Sequence, residues 1–85
     1  MKYRVILPKR VQKEYQKIDK KLRDRINKML LALSENPSIG KKLEGKYKGQ
    51  YSIRVWPYRV IYEIYQKEAI ILITHVGHRQ GVYKN

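Results

Sequence analysis

The sequence of 85 residues contains no cysteine. A disulfide framework, a thiolate nucleophile and a cysteine-ligated metal are therefore excluded. Long apolar segments are missing as well, because even runs such as Ala69 to Ile73 are far shorter than the roughly 20 residues that cross a bilayer. The N-terminus also lacks the apolar core of a signal peptide. We therefore expect a single small domain located in the cytoplasm.

Acidic residues are scarce. Seven Asp and Glu stand against 20 Lys and Arg, and the formal net charge is +13. The positive electrostatic field of such a charge attracts polyanions, so the expected partners are nucleic acid, an anionic membrane surface or an acidic protein. A charge of this size also repels itself in the folded state, which predicts an acidic companion in the cell. The charge by itself does not imply catalysis.

The first half of the sequence predicts a strand followed by two helices. Residues 2–7 alternate in polarity, as in a half-buried strand that Pro8 ends. Apolar residues then recur every three or four positions, which predicts helices near 8–18 and 20–35 joined as a hairpin. Asp19 is a suitable N-cap for the second helix, and Asn36-Pro37 ends it because a residue before proline is pushed out of the helical region.

The second half predicts a basic loop followed by three strands. Lysine and glycine dominate residues 38–50, where the glycines indicate turns. Apolar and polar residues then alternate with a period of two, which predicts strands at 51–56, 58–65 and 69–76 joined by short turns in an antiparallel meander. The expected fold is α+β with the order β-α-α-β-β-β. Its helical hairpin packs on one face of a small, mainly antiparallel four-stranded sheet.

Strand alternation predicts a cationic patch on the face away from the helices. If the flanking apolar residues point inward, Arg54 and Arg59 approach each other across a hairpin. Two such arginines repel unless an anion or a carboxylate lies between them. Glu63 can supply that carboxylate structurally, and this alternative weighs equally with an anion-binding site. The end of the last strand is expected to bring His75, His78, Arg79 and Tyr83 to the same rim.

Several segments together resemble one protein family. KLEGKYKGQYSIRVWPYRVIYEI followed by IILITHVGHRQGVY is similar to the RelE/ParE superfamily of toxins from type II toxin–antitoxin pairs. The shared features are a Lys-Leu-x-Gly loop, a Tyr-Arg-x-x-Tyr strand start, and a strand ending Val-Gly-x-Arg before a terminal Val-Tyr. The resemblance implies a compact toxin that an antitoxin neutralises. RelE-like members cut messenger RNA in the ribosomal A site, whereas ParE-like members poison DNA gyrase.

The chemistry of RNA cleavage favours the RelE-like branch. When a 2′-hydroxyl attacks its own phosphate without a metal, the site must remove a proton, stabilise a doubly charged phosphorane and protonate the leaving oxygen. Arginine suits the second task, because its planar fork binds phosphate oxygens and stays charged. The expected anion clamp is Arg54, Arg59 and Arg79. The resemblance implies that Arg59 and Arg79 are catalytic and that Tyr83 stacks on or orients the RNA.

One position departs from the RelE-like pattern. Members of that branch carry a basic pair on the first strand of the meander, one of which is a proposed general base, and here those positions are Ser52 and Arg54. Serine cannot fill the proton role. His78 can, because an imidazole with an ordinary pKa of about 6.5 titrates near the working pH, although a solvated turn histidine weighs equally. His75 lies within the predicted strand, and we expect it to be structural.

The remaining predictions concern partners and ligands. The loop lysines Lys41, Lys42, Lys46 and Lys48 are expected to bind RNA phosphates without sequence preference, although a solvated loop explains each one equally well. Two histidines three residues apart make a poor metal site, so no metal or cofactor is expected. The expected partners are an acidic antitoxin, the ribosome and messenger RNA. The alternative functions are a gyrase inhibitor without nuclease activity and a plain nucleic-acid-binding domain.

Overall fold

The computed structural model describes residues 2–78. Its elements are β1 (Arg4–Ile6), α1 (Lys9–Gln16), α2 (Lys20–Glu35), β2 (Lys41–Lys42), β3 (Tyr51–Val55), β4 (Tyr58–Tyr65) and β5 (Ile70–His78), with short 3-10 turns at Pro37–Ile39 and Gly45–Tyr47. The α+β architecture and the order of the predicted elements are confirmed. Neither helix is long and apolar enough to span a membrane.

The sheet has five strands rather than the four predicted from the sequence. Their order is β1-β5-β4-β3-β2, with β1 parallel to β5 and the other pairs antiparallel. The extra strand, β2, lies in the segment predicted as a loop and pairs with β3 through Lys41 and Ser52, and through Lys42 and Tyr51. Two residues carry too little alternation for a sequence pattern to detect, so only the pairing defines this strand.

Helix α2 begins and ends where the sequence predicts, whereas α1 spans Lys9–Gln16 and is shorter than the predicted 8–18. The Asp19 side chain accepts a hydrogen bond from the Lys21 backbone N–H at 3.2 Å, which caps α2. At the other end, Asn36 leaves the helical conformation before Pro37, and its side chain caps the following 3-10 turn by accepting from the Ser38 N–H. Tight ends of this kind hold α1 and α2 as a hairpin against the sheet.

One face of the sheet, here called the helix face, packs against α1 and α2. The core residues that meet there are Val11, Ile18, Ile26, Leu30, Leu33, Val55, Val60, Tyr62, Ile71, Ile73 and Val76. Burial of these apolar side chains is the main source of stability for the fold. It also fixes which way the intervening residues of β3, β4 and β5 point, because successive side chains of a strand alternate between faces.

Tyr62 anchors the segment between α2 and β3 to the helix face. Its hydroxyl donates to the Pro37 carbonyl oxygen at 2.8 Å and accepts from the Gly40 N–H at 3.0 Å. A Cβ at Gly40 would collide with this hydroxyl and lie 3.0 Å from the Ser52 carbonyl oxygen, so only glycine allows so close an approach. Burial raises the pKa of Tyr62 above its ordinary value, which keeps the hydroxyl neutral. The segment is thereby held in the register that forms β2.

Candidate functional site

The face of the sheet opposite the helices carries the predicted arginine pair. Arg54 on β3 and Arg59 on β4 are direct cross-strand partners, and the partner of Arg59 on β5 is Gly77. Their neighbours Val55 and Val60 belong to the core, so both arginines point to the other side, here called the arginine face. Arg54 is exposed and Arg59 is half-buried. Gly77 carries no side chain, so the side chains of this row come from the two arginines alone.

Glu63 is not held between these arginines. Its carboxylate accepts a hydrogen bond from Gln50 Nε2 at 3.0 Å and another from the Tyr65 hydroxyl at 2.6 Å. The bond to Glu63 raises the pKa of Tyr65 above its ordinary value. The Arg54 side chain makes no hydrogen bond or ion pair in the part of the chain that the structure describes. The alternative in which the Glu63 carboxylate lies between the two arginines is therefore not what the described residues show.

The two histidines lie on different faces of β5. His78 pairs with Tyr58, and the two rings meet edge to face with their centroids 6.1 Å apart. Strand alternation puts this pair on the side of Val76, a core residue, whereas His75 and Gly77 point to the arginine face. The expectation that both histidines share one rim with the arginines is therefore wrong for the His78 ring. The catalytic role predicted for His78 stays a prediction.

A β-bulge positions His75. The pairing of β4 with β5 shifts between Ile61, which opposes His75, and Tyr62, which opposes Ile73, so that Thr74 is an extra residue. The bulge lets both Ile73 and Val76 reach the core although three positions separate them. No sequence pattern indicated this bulge. A strictly alternating strand would have placed His75 on the same side as Ile73, in the core.

His75 is half-buried and lies near a positively charged side chain. Burial lowers its pKa below the ordinary value, and the nearby positive charge of Arg10 lowers it further. Arg10, in the first turn of α1, donates from its guanidinium to the Thr74 carbonyl oxygen at 3.2 Å. The imidazole is therefore held in its neutral form near pH 7.

Ser52 and Ile61 occupy the centre of the arginine face. Ser52 is 5% exposed and Ile61 is 1% exposed. The two are cross-strand partners, and His75 is the partner of Ile61 on the next strand, so the three residues form one row across the sheet. The neighbouring row is Arg54, Arg59 and Gly77. The sequence identified the arginines of this surface and predicted His75 at its rim, but it did not predict that the centre of the surface is buried.

The four predicted loop lysines are all exposed. Lys41 is the cross-strand partner of Ser52 and therefore shares the arginine face, whereas Lys42 pairs with Tyr51 on the helix face. Lys46 lies over the Tyr47 ring, with its Nζ 5.5 Å from the centroid. Lys42 and Lys48 border a groove of about 650 Å³ at the far end of the strands from Arg54. Of this set, register associates only Lys41 with the arginine pair.

Two predicted site residues, Arg79 and Tyr83, lie outside the described residues. The last described residue is His78, which directly precedes Arg79 in the sequence. Among residues 2–78, no group of three or more His, Asp or Glu side chains is arranged to hold a metal ion. The chemistry that the described surface offers is thus two guanidinium groups, one half-buried imidazole and a buried hydroxyl.

Comparison with known proteins relates this chain to toxins of toxin–antitoxin systems. Residues 5–83 match the model of a family described as the ParE toxin of type II toxin–antitoxin systems, parDE. A protein of Methanocaldococcus jannaschii that carries the name toxin RelE1 is 30% identical over 89 aligned positions, which cover all of this chain and 99% of the relative.

Solved structures resemble the fold over almost its full length. The toxin of the RelBE2 toxin–antitoxin complex from Mycobacterium tuberculosis superimposes with a TM-score of 0.85 at 25% identity, covering 93% of this chain and 100% of that one. In the archaeal RelE–RelB complex from Pyrococcus horikoshii, the matching chain has a TM-score of 0.80 at 32% identity, covering 93% of this chain and 97% of its own.

Proposed function

This chain belongs to the RelE/ParE family of toxins from type II toxin–antitoxin systems, and from that premise we propose that it is a ribosome-dependent endoribonuclease. In this proposal it cleaves messenger RNA in the ribosomal A site and so stops translation in the cytoplasm. The arginine face is the active surface. No metal or cofactor takes part in the reaction.

The proposed reaction is an internal transfer of the phosphate. The 2′-hydroxyl loses its proton and its oxygen bonds to the adjacent phosphorus. The bond from phosphorus to the 5′-oxygen breaks, and that oxygen takes a proton from water. The products are a 2′,3′-cyclic phosphate and a 5′-hydroxyl. Because the phosphorane carries an additional negative charge, paired guanidinium donors stabilise it more than they stabilise the substrate.

The observation that carries this proposal is the pairing of Arg54 with Arg59 beside Gly77. Two guanidinium groups on neighbouring strands can donate to different oxygens of one phosphodiester. The Glu63 carboxylate does not lie between the two arginines, because it accepts hydrogen bonds from Gln50 and Tyr65. In the proposal Arg79 completes the clamp, and Tyr83 stacks on a base.

The net charge of +13 supports two further parts of the proposal. Lys41, Lys42, Lys46 and Lys48 bind ribosomal or messenger RNA through its phosphates. When no RNA is bound, an acidic antitoxin neutralises the basic surface. The M. tuberculosis and P. horikoshii relatives were both solved as toxin–antitoxin complexes, which supports an antitoxin partner of the same kind here.

A second candidate function, inhibition of DNA gyrase without RNA cleavage, is favoured by one specific observation. Ser52 is buried at the position where RelE-like nucleases carry a basic residue. In this alternative the arginine pair only binds. The matched family model is itself described by the ParE toxin, so membership of the family does not separate the two activities.

Transcript mapping after induced expression tests the proposed function. The nuclease proposal predicts new messenger RNA 5′ ends at codon boundaries soon after growth stops. Arg59→Ala should abolish these ends, whereas Arg25→Ala, which removes an exposed arginine on α2, should leave them unchanged. Intact messages together with broken DNA would refute the nuclease proposal and support gyrase inhibition.

A further inference from the structure

The register of the sheet places His75 beside the proposed phosphate site. His75 opposes Ile61, and Gly77, two residues on, opposes Arg59. His75 and Arg59 are therefore diagonal neighbours on the arginine face, for which backbone positions about 7 Å apart are typical. Long side chains such as these can contact the same ligand across that distance.

A hydrogen-bond chain determines which nitrogen of His75 carries the proton. The Thr74 hydroxyl lies 3.2 Å from the Ile61 carbonyl oxygen, and a carbonyl can only accept, so the hydroxyl proton is donated there. His75 Nδ1 lies 3.2 Å from the same Thr74 Oγ1. Because that oxygen has already used its proton, it must accept from Nδ1–H. The neutral imidazole consequently has its lone pair on Nε2.

Burial and the positive charge of Arg10, which approaches from α1, both oppose the protonation of His75. Arg59 is its diagonal cation on β4. Glu63, the nearest acid on the same face of β4, is hydrogen-bonded to Gln50 and Tyr65, toward the other end of the strand. An imidazole in these surroundings stays neutral and able to accept a proton over a wider range of pH than a free one.

We propose that His75 is the general base of the RNA cleavage reaction, with Nε2 as the accepting atom and Thr74 and Arg10 as its positioning residues. This inference rests on the proposed nuclease function and assigns the proton role that Ser52 cannot fill. Nε2 takes the proton of the 2′-hydroxyl as its oxygen bonds to phosphorus. When the 5′-oxygen leaves, it takes a proton from water. The imidazolium later returns its own proton to solvent, and the site is reset.

His75→Asn is the decisive variant. An asparagine side chain places its Nδ2–H₂ where Nδ1–H was, so it keeps a donor to Thr74 Oγ1 but has no atom at the Nε2 position. We expect the rate of messenger RNA cleavage on programmed ribosomes to fall about 100-fold or more, with an unchanged thermal midpoint. Cleavage by His75→Asn at the rate of the unaltered protein would overturn the inference.

The same assay applied to His78 separates the two histidines. A loss of cleavage in His78→Asn with full cleavage in His75→Asn would assign the base to His78 and overturn the proposal. If the unaltered protein makes no cuts on ribosomes, the nuclease function fails, and the role of His75 fails with it. If His75→Asn makes cuts at codon boundaries at the rate of the unaltered protein, the nuclease function stands and only the assignment of the base fails.

A second measurement does not depend on the stability of any His75 variant. Arg10→Gln removes a positive charge beside His75, so the pKa of His75 should rise. The acidic limb of the pH–rate profile should then move to higher pH, as expected when a base must be deprotonated to act. An acidic limb that stays in place would overturn the proposal. Gln16→Ala, at the exposed end of α1, is the matched control and should leave the profile unchanged.

Nitrogen NMR of the imidazole ring tests the positioning role of Thr74 without any RNA. The unaltered protein should show the Nδ1–H tautomer for His75. Thr74→Val removes the acceptor while keeping the branched shape, so the tautomers should mix and cleavage should fall several-fold. A predominant Nε2–H tautomer in the unaltered protein would contradict the hydrogen-bond chain and overturn the assignment of Nε2.

Discussion

The two faces of the sheet differ in what their side chains contribute. On the helix face, Val60, Tyr62 and Ile73 are fully buried against α1 and α2. On the arginine face, β3 and β4 present Arg54 and Arg59. A single strand therefore supplies stability with one set of residues and chemistry with the alternate set. Substitutions on the two faces should consequently affect different properties of the protein.

The comparison of the two faces predicts that substitution of Arg59 causes the largest loss of cleavage activity. Arg59→Ala should lower ribosome-dependent cleavage about 100- to 1,000-fold, as is typical when one donor to a developing oxyanion is lost. Arg59→Lys should recover only part of the activity, because an ammonium lacks the planar fork. Single-turnover cleavage rates measure the effect. An equally large loss in Arg25→Ala would show that general charge, rather than this pair, matters.

A substitution on the helix face should lower the stability of the fold and leave the cleavage activity unchanged. Leu33 on α2 is fully buried, and Leu33→Ala should lower the free energy of unfolding by about 3 kcal/mol through lost burial and a residual cavity. The cleavage rate per folded molecule should not change. Denaturant unfolding combined with active-site titration measures both quantities. A variant that folds fully but cleaves slowly would break the separation of the two faces.

Substitutions at the contact between Gly40 and Tyr62 should cause an intermediate loss of stability. Gly40→Ala forces a methyl group against the Tyr62 hydroxyl and the Ser52 carbonyl oxygen, so it should destabilise the fold by about 2 kcal/mol. Tyr62→Phe removes the colliding hydroxyl but also its two hydrogen bonds, at about 1 kcal/mol each. The double variant should therefore lose less than the sum of the single losses. Strict additivity would contradict the contact.

The smallest predicted effect is the pH dependence of stability that arises from His75. Its pKa is lowered in the folded state, so the unfolded chain binds more protons below the ordinary value of about 6.5. Stability should be complete above that pH and fall as the pH drops toward the lowered pKa. Thermal midpoints measured from pH 8 to pH 5 should show this slope, which His75→Asn should reduce. An unchanged slope would place the titrating group elsewhere.

The amino-acid sequence by itself determined the α+β class, the helical hairpin with its cap at Asp19, the meander strands and the pairing of Arg54 with Arg59. These follow from period, capping and alternation, which act between residues close together in the chain. Only the tertiary structure decided the pairing of β2, the bulge at Thr74 and the separation of His75 from His78. Each depends on contacts between residues far apart in sequence, where the burial of Ile73 and Val76 outweighs strict alternation of the strand.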